Sequence, residues 1–301
     1  MGEKVFKTIE QQVELLTSRG LIIPDEDMQM AKEFLLHNNY YRISGYTLTL
    51  RKQDVFYEDV TIRNVIDIYN FDHELRAILM ESLEIVEVKI KSVFAYDFAK
   101  KYGGKGYRDS KYFSDTTEFL RIIEKTEQQK DKNLSDEAYI QHYVNDLQEV
   151  MPVWAWVDLL TFSDISKLFT ITKKEIKIEI AKDMGISAPN DEKRVELVEK
   201  YLRELTVLRN FCAHGRRLYN RLFVCKPSLN SKEKKLLLQI ENDGKTEIDN
   251  AHLFGFILVM RRILSVTQFE KLKRSLESLS DKYLFVDMKH YGFPENWKEI
   301  L

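Results

Sequence analysis

The chain has 301 residues, of which 44% are hydrophobic and 31% are charged, and its net charge is −2. This length and composition suffice for a large core, and the small number of glycines and prolines, 11 and 5, favours helices. The near-neutral charge excludes a generally basic nucleic-acid-binding protein, so any affinity for RNA must come from a local patch of cations.

The cysteine content and the length of the apolar stretches indicate the cellular compartment in which the chain works. Cys212 and Cys225 form neither a disulfide framework nor a zinc-binding pattern. The first residues mix charged and apolar side chains, unlike a signal peptide, and the longest apolar stretches, such as 253–260, are too short to cross a bilayer. We therefore expect a soluble, cytoplasmic protein that has no membrane partner and needs no metal or cofactor.

Two helices and an aromatic segment open the chain. Residues 6–19 have helical periodicity and end at Gly20, and a second helix follows Pro24. The next stretch, residues 38–50, is predicted to be extended or mixed, because it begins with two asparagines and is rich in aromatic and β-branched residues.

Two interpretations of the aromatic segment remain open at this point. Tyr40, Tyr41 and Tyr46 are consistent with a small aromatic core in which Arg42 forms a salt bridge. Alternatively, Tyr41 and Arg42 form a surface that stacks on bases and contacts phosphates of RNA.

A long amphipathic helix is predicted from Asp72 to Lys100, because apolar residues recur on one face of this stretch. Glu84, Glu87 and Lys91 lie off that face, and an ordinary solvated surface is their simplest interpretation.

Later segments are less informative. Pro152 opens a buried helix in which both Trp154 and Trp156 are expected in the core. Residues 229–250 form a charged insertion with a predicted turn at Asp243-Gly244.

The most unusual stretch is Arg203–Lys226, which holds six Lys or Arg residues and one acid, Glu204. If it is helical throughout, one face carries a polar, cationic stripe and the opposite face is apolar. The stripe consists of Arg203, Thr206, Asn210, His214, Arg217 and Arg221. Arg209 lies about 100° away from Asn210, so it reaches the stripe only through its long side chain.

This combination of side chains suits the cleavage of RNA. A histidine takes a proton from a 2′-hydroxyl or gives one to the leaving oxygen, because it titrates near neutrality. An arginine matches phosphate oxygens with a planar fork of donors. Asn210 lies four residues before His214, within reach of the imidazole or a phosphate. An arginine followed five residues later by a histidine is common by chance, so the spacing alone is a weak signal.

Five segments, in the same order, resemble the AbiD/AbiF abortive-infection family of HEPN ribonucleases, and the fourth carries an RN-x-x-x-H signature. The segments are HNNYYRISGY (37–46), IYNFDHELRAILMESLEIVEVKIKSVFAY (68–96), MPVWAWVDLLTFSDISKLF (151–169), RNFCAHGRRLYNR (209–221) and YGFPENWKEIL (291–301).

The resemblance implies an all-α, HEPN-type helical bundle, with an N-terminal helical extension over residues 1–60 and a core over 61–301. It implies a metal-independent endoribonuclease in which Arg209, Asn210 and His214 are catalytic. Glu87 would orient Arg209 or His214 in place of facing solvent. RNA contacts are expected from Tyr41, Arg42, Arg203, Arg216, Arg217 and Arg221.

The resemblance also implies partners. One histidine does not easily act as base and acid at once, so we expect a homodimer with a composite site. A toxin-antitoxin arrangement is expected, with a structured RNA as the inhibitor, and no binding to DNA. Two other functions remain open: a non-catalytic module that holds a structured RNA, and a helical protein that senses phage components.

Overall fold

The computed structural model describes residues 5–242 and 245–301, and it is mostly helical, which confirms the predicted all-α class. Two short antiparallel hairpins accompany the helices; in the first, Arg51 pairs with Phe56. The helices are α1 (Ile9–Ser18), α2 (Met28–Asn38), α3 (Tyr40–Ser44), α4 (Ile62–Tyr102), α5 (Thr116–Asn133), α6 (Ala138–Gln141), α7 (Val153–Trp156), α8 (Phe162–Ile171), α9 (Lys174–Asp183), α10 (Asp191–Ala213), α11 (Ser231–Lys234), α12 (Phe254–Ile263), α13 (Val266–Lys282) and α14 (Trp297–Ile300). The strands are β1 (Arg51–Lys52), β2 (Val55–Phe56), β3 (Gln239–Asn242) and β4 (Lys245–Ile248).

The fold is built around α4, a helix of 41 residues and therefore about 60 Å long. It begins at a capping box in which Thr61 and Asn64 exchange hydrogen bonds, and it ends at Gly103, whose φ of +77° an L-residue rarely adopts. The predicted helix over 72–100 is thus confirmed, and it extends further at both ends. Helices α7, α8, α9, α10 and α13 pack against α4.

A half-buried lysine ties α4 to two other helices. Lys89 Nζ donates to the carbonyl oxygens of Met184 and Ile263, each at 2.9 Å. These carbonyls lie at the C-terminal ends of α9 and α12, where helix dipoles favour a cation. Burial lowers the pKa of Lys89. The ammonium group therefore fixes three helices of the bundle relative to one another.

The N-terminal segment corrects one expectation. Gly20 ends α1 with a φ of +93°, as predicted, but residues 40–44 form the short helix α3 and not an extended segment. The reason is local: the Asn39 side chain accepts a hydrogen bond from the Tyr41 N–H at 2.9 Å and so starts a helix. Tyr46 then enters the core, which continues through residues on both sides of position 60. The boundary between 1–60 and 61–301 stays a prediction.

The two tryptophans of α7 have opposite environments. Trp156 is buried, stacks on Tyr107 at 4.2 Å and donates from Nε1 to Thr126 Oγ1 at 2.9 Å. Trp154 is 57% exposed, so the prediction that it lies in the core is wrong. Residues two apart on a helix point in directions about 200° apart, so one turn of helix does not bury both.

Two further results concern the sequence predictions. The turn expected at Asp243-Gly244 lies outside the described residues. Among the helices of residues 5–242 and 245–301, none is both long and apolar enough to cross a membrane.

Candidate functional site at the end of the RN-x-x-x-H helix

Helix α10 carries Arg203, Arg209 and Asn210, and it ends at Ala213. His214 is the first residue beyond the helix, and Gly215 follows with a φ of +59°. The N–H of Gly215 donates to the Cys212 carbonyl at 3.0 Å, and the N–H of Arg216 donates to the Phe211 carbonyl at 2.9 Å. This pair of bonds is a Schellman motif, which requires a left-handed residue and therefore favours glycine.

The helix end corrects the predicted cationic stripe. Because the chain leaves the helix at His214, neither Arg217 nor Arg221 continues the face that carries Asn210. Thr206, also expected on the polar face, is buried. Gly215 is itself a sequence signal for a helix end. The predicted stripe assumed instead that the helix continues through this glycine. The apolar face is confirmed, because Tyr201, Leu205, Leu208 and Cys212 are buried.

Arg209 is held by two neighbours. Its Nη1 donates to Asn210 Oδ1 at 3.2 Å, and its Nη2 lies 3.5 Å from Glu87 Oε2. The other oxygen of Glu87 lies 3.1 Å from Lys91 Nζ. Glu87 is only 15% exposed and Arg209 is 28% exposed, so Glu87 does not belong to a solvated face. The carboxylate of Glu87 thus contacts the Arg209 guanidinium from α4, and the orienting role of this acid stays a prediction.

The arginines that follow His214 form a patch around one aromatic ring. The guanidinium groups of Arg216 and Arg221 lie 5.2 and 4.9 Å from the ring centre of Phe211, within the range of cation–π contacts. Both arginines are exposed. The sequence analysis missed Phe211, because an aromatic residue five positions before an arginine is not a distinctive pattern.

The N-terminal motif reaches the same place. Arg42 Nη2 donates to the Gly215 carbonyl oxygen at 2.5 Å, and its guanidinium lies 5.6 Å from the ring of Tyr69. Tyr41 is exposed beside it. Each interpretation of this motif therefore applies to different residues. Tyr46 belongs to the core, whereas Tyr41 and Arg42 belong to the surface. We call Arg42, His214, Arg216 and Arg221 the cap surface.

Arg217, unlike Arg216 and Arg221, binds backbone carbonyl groups. Its Nη1 donates to the carbonyl oxygens of Tyr219 and Asn220. A side chain at Gly45 would place its Cβ only 3.1 Å from Arg217 Nε, so the N-terminal motif approaches closely here. Arg217 thus shapes the segment after the helix, and its predicted contact with RNA stays a prediction.

A buried carboxylate, Asp72, fixes the backbone that follows the cap. It accepts hydrogen bonds from the N–H groups of Leu218 and Tyr219, at 3.1 and 2.8 Å. It also accepts from the hydroxyls of Tyr46 and Tyr291, at 2.8 and 3.1 Å, and from the Arg76 guanidinium. Burial raises the pKa of Asp72, whereas these donors favour the carboxylate.

Asp72, on α4, joins three other segments of the sequence. Tyr46 comes from the N-terminal motif, Leu218 and Tyr219 from the segment after the cap, and Tyr291 from the C-terminal motif. The C-terminal motif gives further support, because the N–H of Asn220 donates to the His290 carbonyl at 2.9 Å. Sequence reasoning missed Asp72; the available signal was an acid four residues before an arginine, Arg76, in a predicted helix.

Residues 33–220 match the family model described as Abi-like protein, and this match covers more than half of the chain. The chain belongs to the Abi-like family. The predicted resemblance to the AbiD/AbiF proteins is therefore confirmed. The matched range includes Asp72 and all of the cap surface except Arg221, whereas the motif at 291–301 lies outside it. No curated protein and no solved structure matches the chain significantly.

A groove of about 690 Å³ lies beside α10 in the Abi-like protein, and Arg203 and Asn210 both line it. Its charged side chains are four acids and three cations: Asp115, Glu118, Glu196, Glu199, Lys167, Lys200 and Arg203. This balance does not favour a phosphate backbone. The expected RNA contact of Arg203 stays a prediction.

In the part of the chain that the structure describes, no group of three or more His, Cys, Asp or Glu side chains is arranged to hold a metal ion.

Proposed function

We propose that this Abi-like protein is a metal-independent endoribonuclease of the HEPN type. The observation that carries the proposal is the arrangement at the end of α10. Glu87 and Asn210 hold the Arg209 guanidinium, while His214 lies exposed on the helix end beside the arginines of the cap surface. A fixed guanidinium and an exposed imidazole are the groups that transfer of a ribose 2′-oxygen to phosphorus needs.

Each residue has a proposed role. His214 acts as general base or general acid, Arg209 binds and stabilises the scissile phosphate, and Asn210 positions one or both of them. Tyr41 stacks on a base, and the cationic side chains of the cap surface bind the RNA backbone. Arg203 and Arg217 are assigned the same role with less structural support.

The proposed enzyme is a homodimer with a composite site. Cleavage moves one proton from the 2′-hydroxyl and one to the leaving oxygen, and each chain brings a single histidine to the cap surface. Two copies that face each other would supply both proton-transfer groups. The cytoplasm is the proposed location, because the RNA substrate is found there.

We also propose a biological role that fits the family. The Abi-like family takes its name from abortive infection, in which an infected cell stops growing before phage multiply. A ribonuclease with that effect must be restrained in healthy cells. The protein would therefore be the toxin of a toxin-antitoxin pair, and a structured RNA would be its inhibitor.

The test uses the purified protein, mixed RNA and EDTA. Cleavage that leaves 2′,3′-cyclic phosphate ends is expected from the unchanged protein and not from His214→Ala. The matched control is His142→Ala, which removes an exposed histidine distant in sequence and should leave cleavage unchanged. Equal cleavage by the His214→Ala protein would refute the proposal.

One observation favours a second function, a non-catalytic module that holds a structured RNA. Arg209 is already paired with Glu87 within the chain, which reduces the charge it offers to a phosphate. This alternative predicts salt-sensitive RNA binding by the pure protein without any cleavage. A protein that neither binds nor cuts RNA would instead support the phage-sensing alternative.

A further inference from the structure

Phe211 lies in the last turn of α10, and its half-buried ring is anchored to the core. The ring centre lies 5.1 Å from that of Phe223, which in turn lies 4.7 Å from that of Phe256. Phe223 and Phe256 are both buried. Close packing of this kind leaves a ring little freedom to move. The Phe211 ring is therefore a fixed part of the surface at the helix end.

Two turns of the backbone bring two arginines back to this ring. After the reversal at Gly215, the N–H of Arg216 donates to the Phe211 carbonyl oxygen at 2.9 Å. A second turn follows at Asn220, whose φ of +47° is in the left-handed region. The guanidinium groups of Arg216 and Arg221 lie 5.2 and 4.9 Å from the centre of the ring. The chain after the helix is thus folded so that two cations meet at one ring.

The charge of this pair is not neutralised within the described part of the chain. Arg216 and Arg221 are exposed, and neither forms an ion pair with an acid of residues 5–242 or 245–301. Two like charges beside one ring repel each other, and the negative face of the ring offsets only part of that repulsion. An anion that contacts both relieves the rest. A guanidinium that lies over a ring keeps the N–H groups at its edge free for that contact.

We propose that Phe211 is a positioning residue, which holds Arg216 and Arg221 for the phosphates that flank the scissile one. This inference rests on the proposed function and names its substrate more closely: a strand of RNA longer than a dinucleotide. A long side chain loses rotamer freedom when it binds a phosphate, and the ring reduces that loss because it already holds the guanidinium. A dinucleotide carries only the scissile phosphate, which is assigned to Arg209, so its cleavage does not depend on the ring.

A different interpretation gives Phe211 a structural role alone. The aliphatic stems of arginines cover apolar surface while their charged heads stay in water, and a ring beneath them then contributes only to stability. Loss of a structural ring lowers activity on every substrate. Loss of a positioning ring acts only where the two arginines contact the substrate. The length of the RNA and the presence of the two arginines therefore separate the two roles.

The first experiment compares a short single-stranded RNA of mixed sequence with a mixture of ribodinucleotides. Phe211→Leu should raise KM for the strand about tenfold, keep kcat within about twofold, and leave kcat/KM for the dinucleotides unchanged. Phe211→Tyr keeps an aromatic face and should restore KM. Equal losses on both substrates would overturn the proposal, as would a Phe211→Tyr protein as impaired as Phe211→Leu. Phe211→Met, which retains more of the bulk, takes the place of Phe211→Leu if that variant fails to fold.

The second experiment repeats the comparison in a protein that carries both Arg216→Ala and Arg221→Ala. There Phe211→Leu should leave KM for the strand unchanged, because the ring has no guanidinium to hold. Phe269→Leu is the matched control, since Phe269 lies under Arg261 at 5.6 Å on α13, and it should leave KM unchanged in either protein. A rise in KM that persists without the two arginines would assign Phe211 a structural role and overturn the proposal.

The two proposals fail separately, because binding of the same RNA strand is also measured by fluorescence anisotropy. A protein that cuts RNA and tolerates Phe211→Leu would retain the ribonuclease and remove the positioning role. A protein that binds the strand without cutting it, and whose Kd rises about tenfold in Phe211→Leu, would retain the positioning of the arginines and remove the ribonuclease.

Discussion

Arg42 donates a hydrogen bond to the Gly215 carbonyl oxygen, across 173 positions of sequence. The bond joins the N-terminal motif to the glycine that ends α10, one residue after His214. Position 42 therefore supports the backbone that displays the imidazole, and its remaining guanidinium surface is free to meet a phosphate. Two motifs that are remote in sequence act at one place.

The left-handed glycine after His214 gives the first prediction. Gly215→Ala should lower the free energy of unfolding by roughly 1–2 kcal/mol, because an alanine resists a φ of +59°. It should lower RNA cleavage much more, because the strained cap moves His214. Urea titration and a cleavage assay measure the two effects.

Gly185→Ala is the control for that change. Gly185 ends α9 with a φ of +76°, and a Cβ there meets nothing within 4 Å. The loss of stability should be similar, but cleavage should remain. Equal losses of cleavage in the two variants would mean that cleavage does not depend specifically on the helix end at Gly215.

The second prediction concerns the buried carboxylate. Asp72→Asn should lower the free energy of unfolding by about 3–5 kcal/mol, because it leaves the buried Arg76 without its counter-charge. Tyr291→Phe removes only one of the donors to Asp72 and should cost about 1–3 kcal/mol. Denaturant unfolding measures both. An Asp72→Asn protein as stable as the Tyr291→Phe protein would show that the carboxylate charge matters little.

The third prediction concerns the pair that holds Arg209. Glu87→Gln should reduce cleavage roughly tenfold or more, since a guanidinium that is no longer held leaves its productive position. Stability should change by less than about 1 kcal/mol, because Arg209 is partly exposed. Glu84→Gln, on the same helix but exposed, serves as the control. Should both variants cut RNA equally well, Glu87 has no positioning role.

The fourth prediction is a pH dependence that arises away from the site. Asp97 is buried, its Oδ2 has no hydrogen-bond partner among the described residues, and burial together with Asp183 raises its pKa to about 6. The raised pKa means that the native state favours the protonated form. The stability from this group is fully present below the ordinary value of 3.8 and is lost as pH rises through 6.

Asp97→Asn removes this titration. The variant should be more stable than the unchanged protein by about 1–3 kcal/mol above pH 7, and no more stable below pH 4. Thermal or urea unfolding across this range measures the difference. Asp131→Asn, at an exposed position, should show no such trend; a constant difference for Asp97→Asn at every pH would contradict the assignment.

The fifth prediction concerns the salt dependence of RNA binding. Arg216→Ala should reduce the slope of log K against log salt by about one, as expected for the loss of one phosphate contact. Arg261→Ala is a matched control, because Arg261 also lies over a phenylalanine, Phe269, at 5.6 Å. Fluorescence anisotropy with a labelled RNA at several salt concentrations gives both slopes.

Local patterns in the sequence predicted the helical class, the central helix and the family. The sequence places Arg209 about 100° away from Asn210, within reach only through its long side chain, and in the structure Arg209 Nη1 donates to Asn210 Oδ1 at 3.2 Å. The prediction of a continuous stripe was wrong because the chain changes direction at Gly215. Hydrophobic periodicity alone does not show where a helix ends.

The contacts that assemble the site were beyond sequence reasoning for a different reason. The bonds of Asp72 to Tyr46, Tyr219 and Tyr291 join positions between 26 and 219 residues apart. No periodicity connects such positions, because their meeting depends on how the helices pack. The ring of Trp154 likewise packs closely against Gly104, a residue in a separate turn.

The convergence on Asp72 has a consequence for the order in which the candidate site forms during translation. Tyr291 is synthesised 72 residues after Tyr219, yet both donate to the same carboxylate. When Tyr219 has emerged from the ribosome, part of the scaffold that fixes the loop after His214 has not yet been synthesised. A growing polypeptide would thus carry a loosely held histidine, and the candidate site would mature only after that later stretch had emerged and folded.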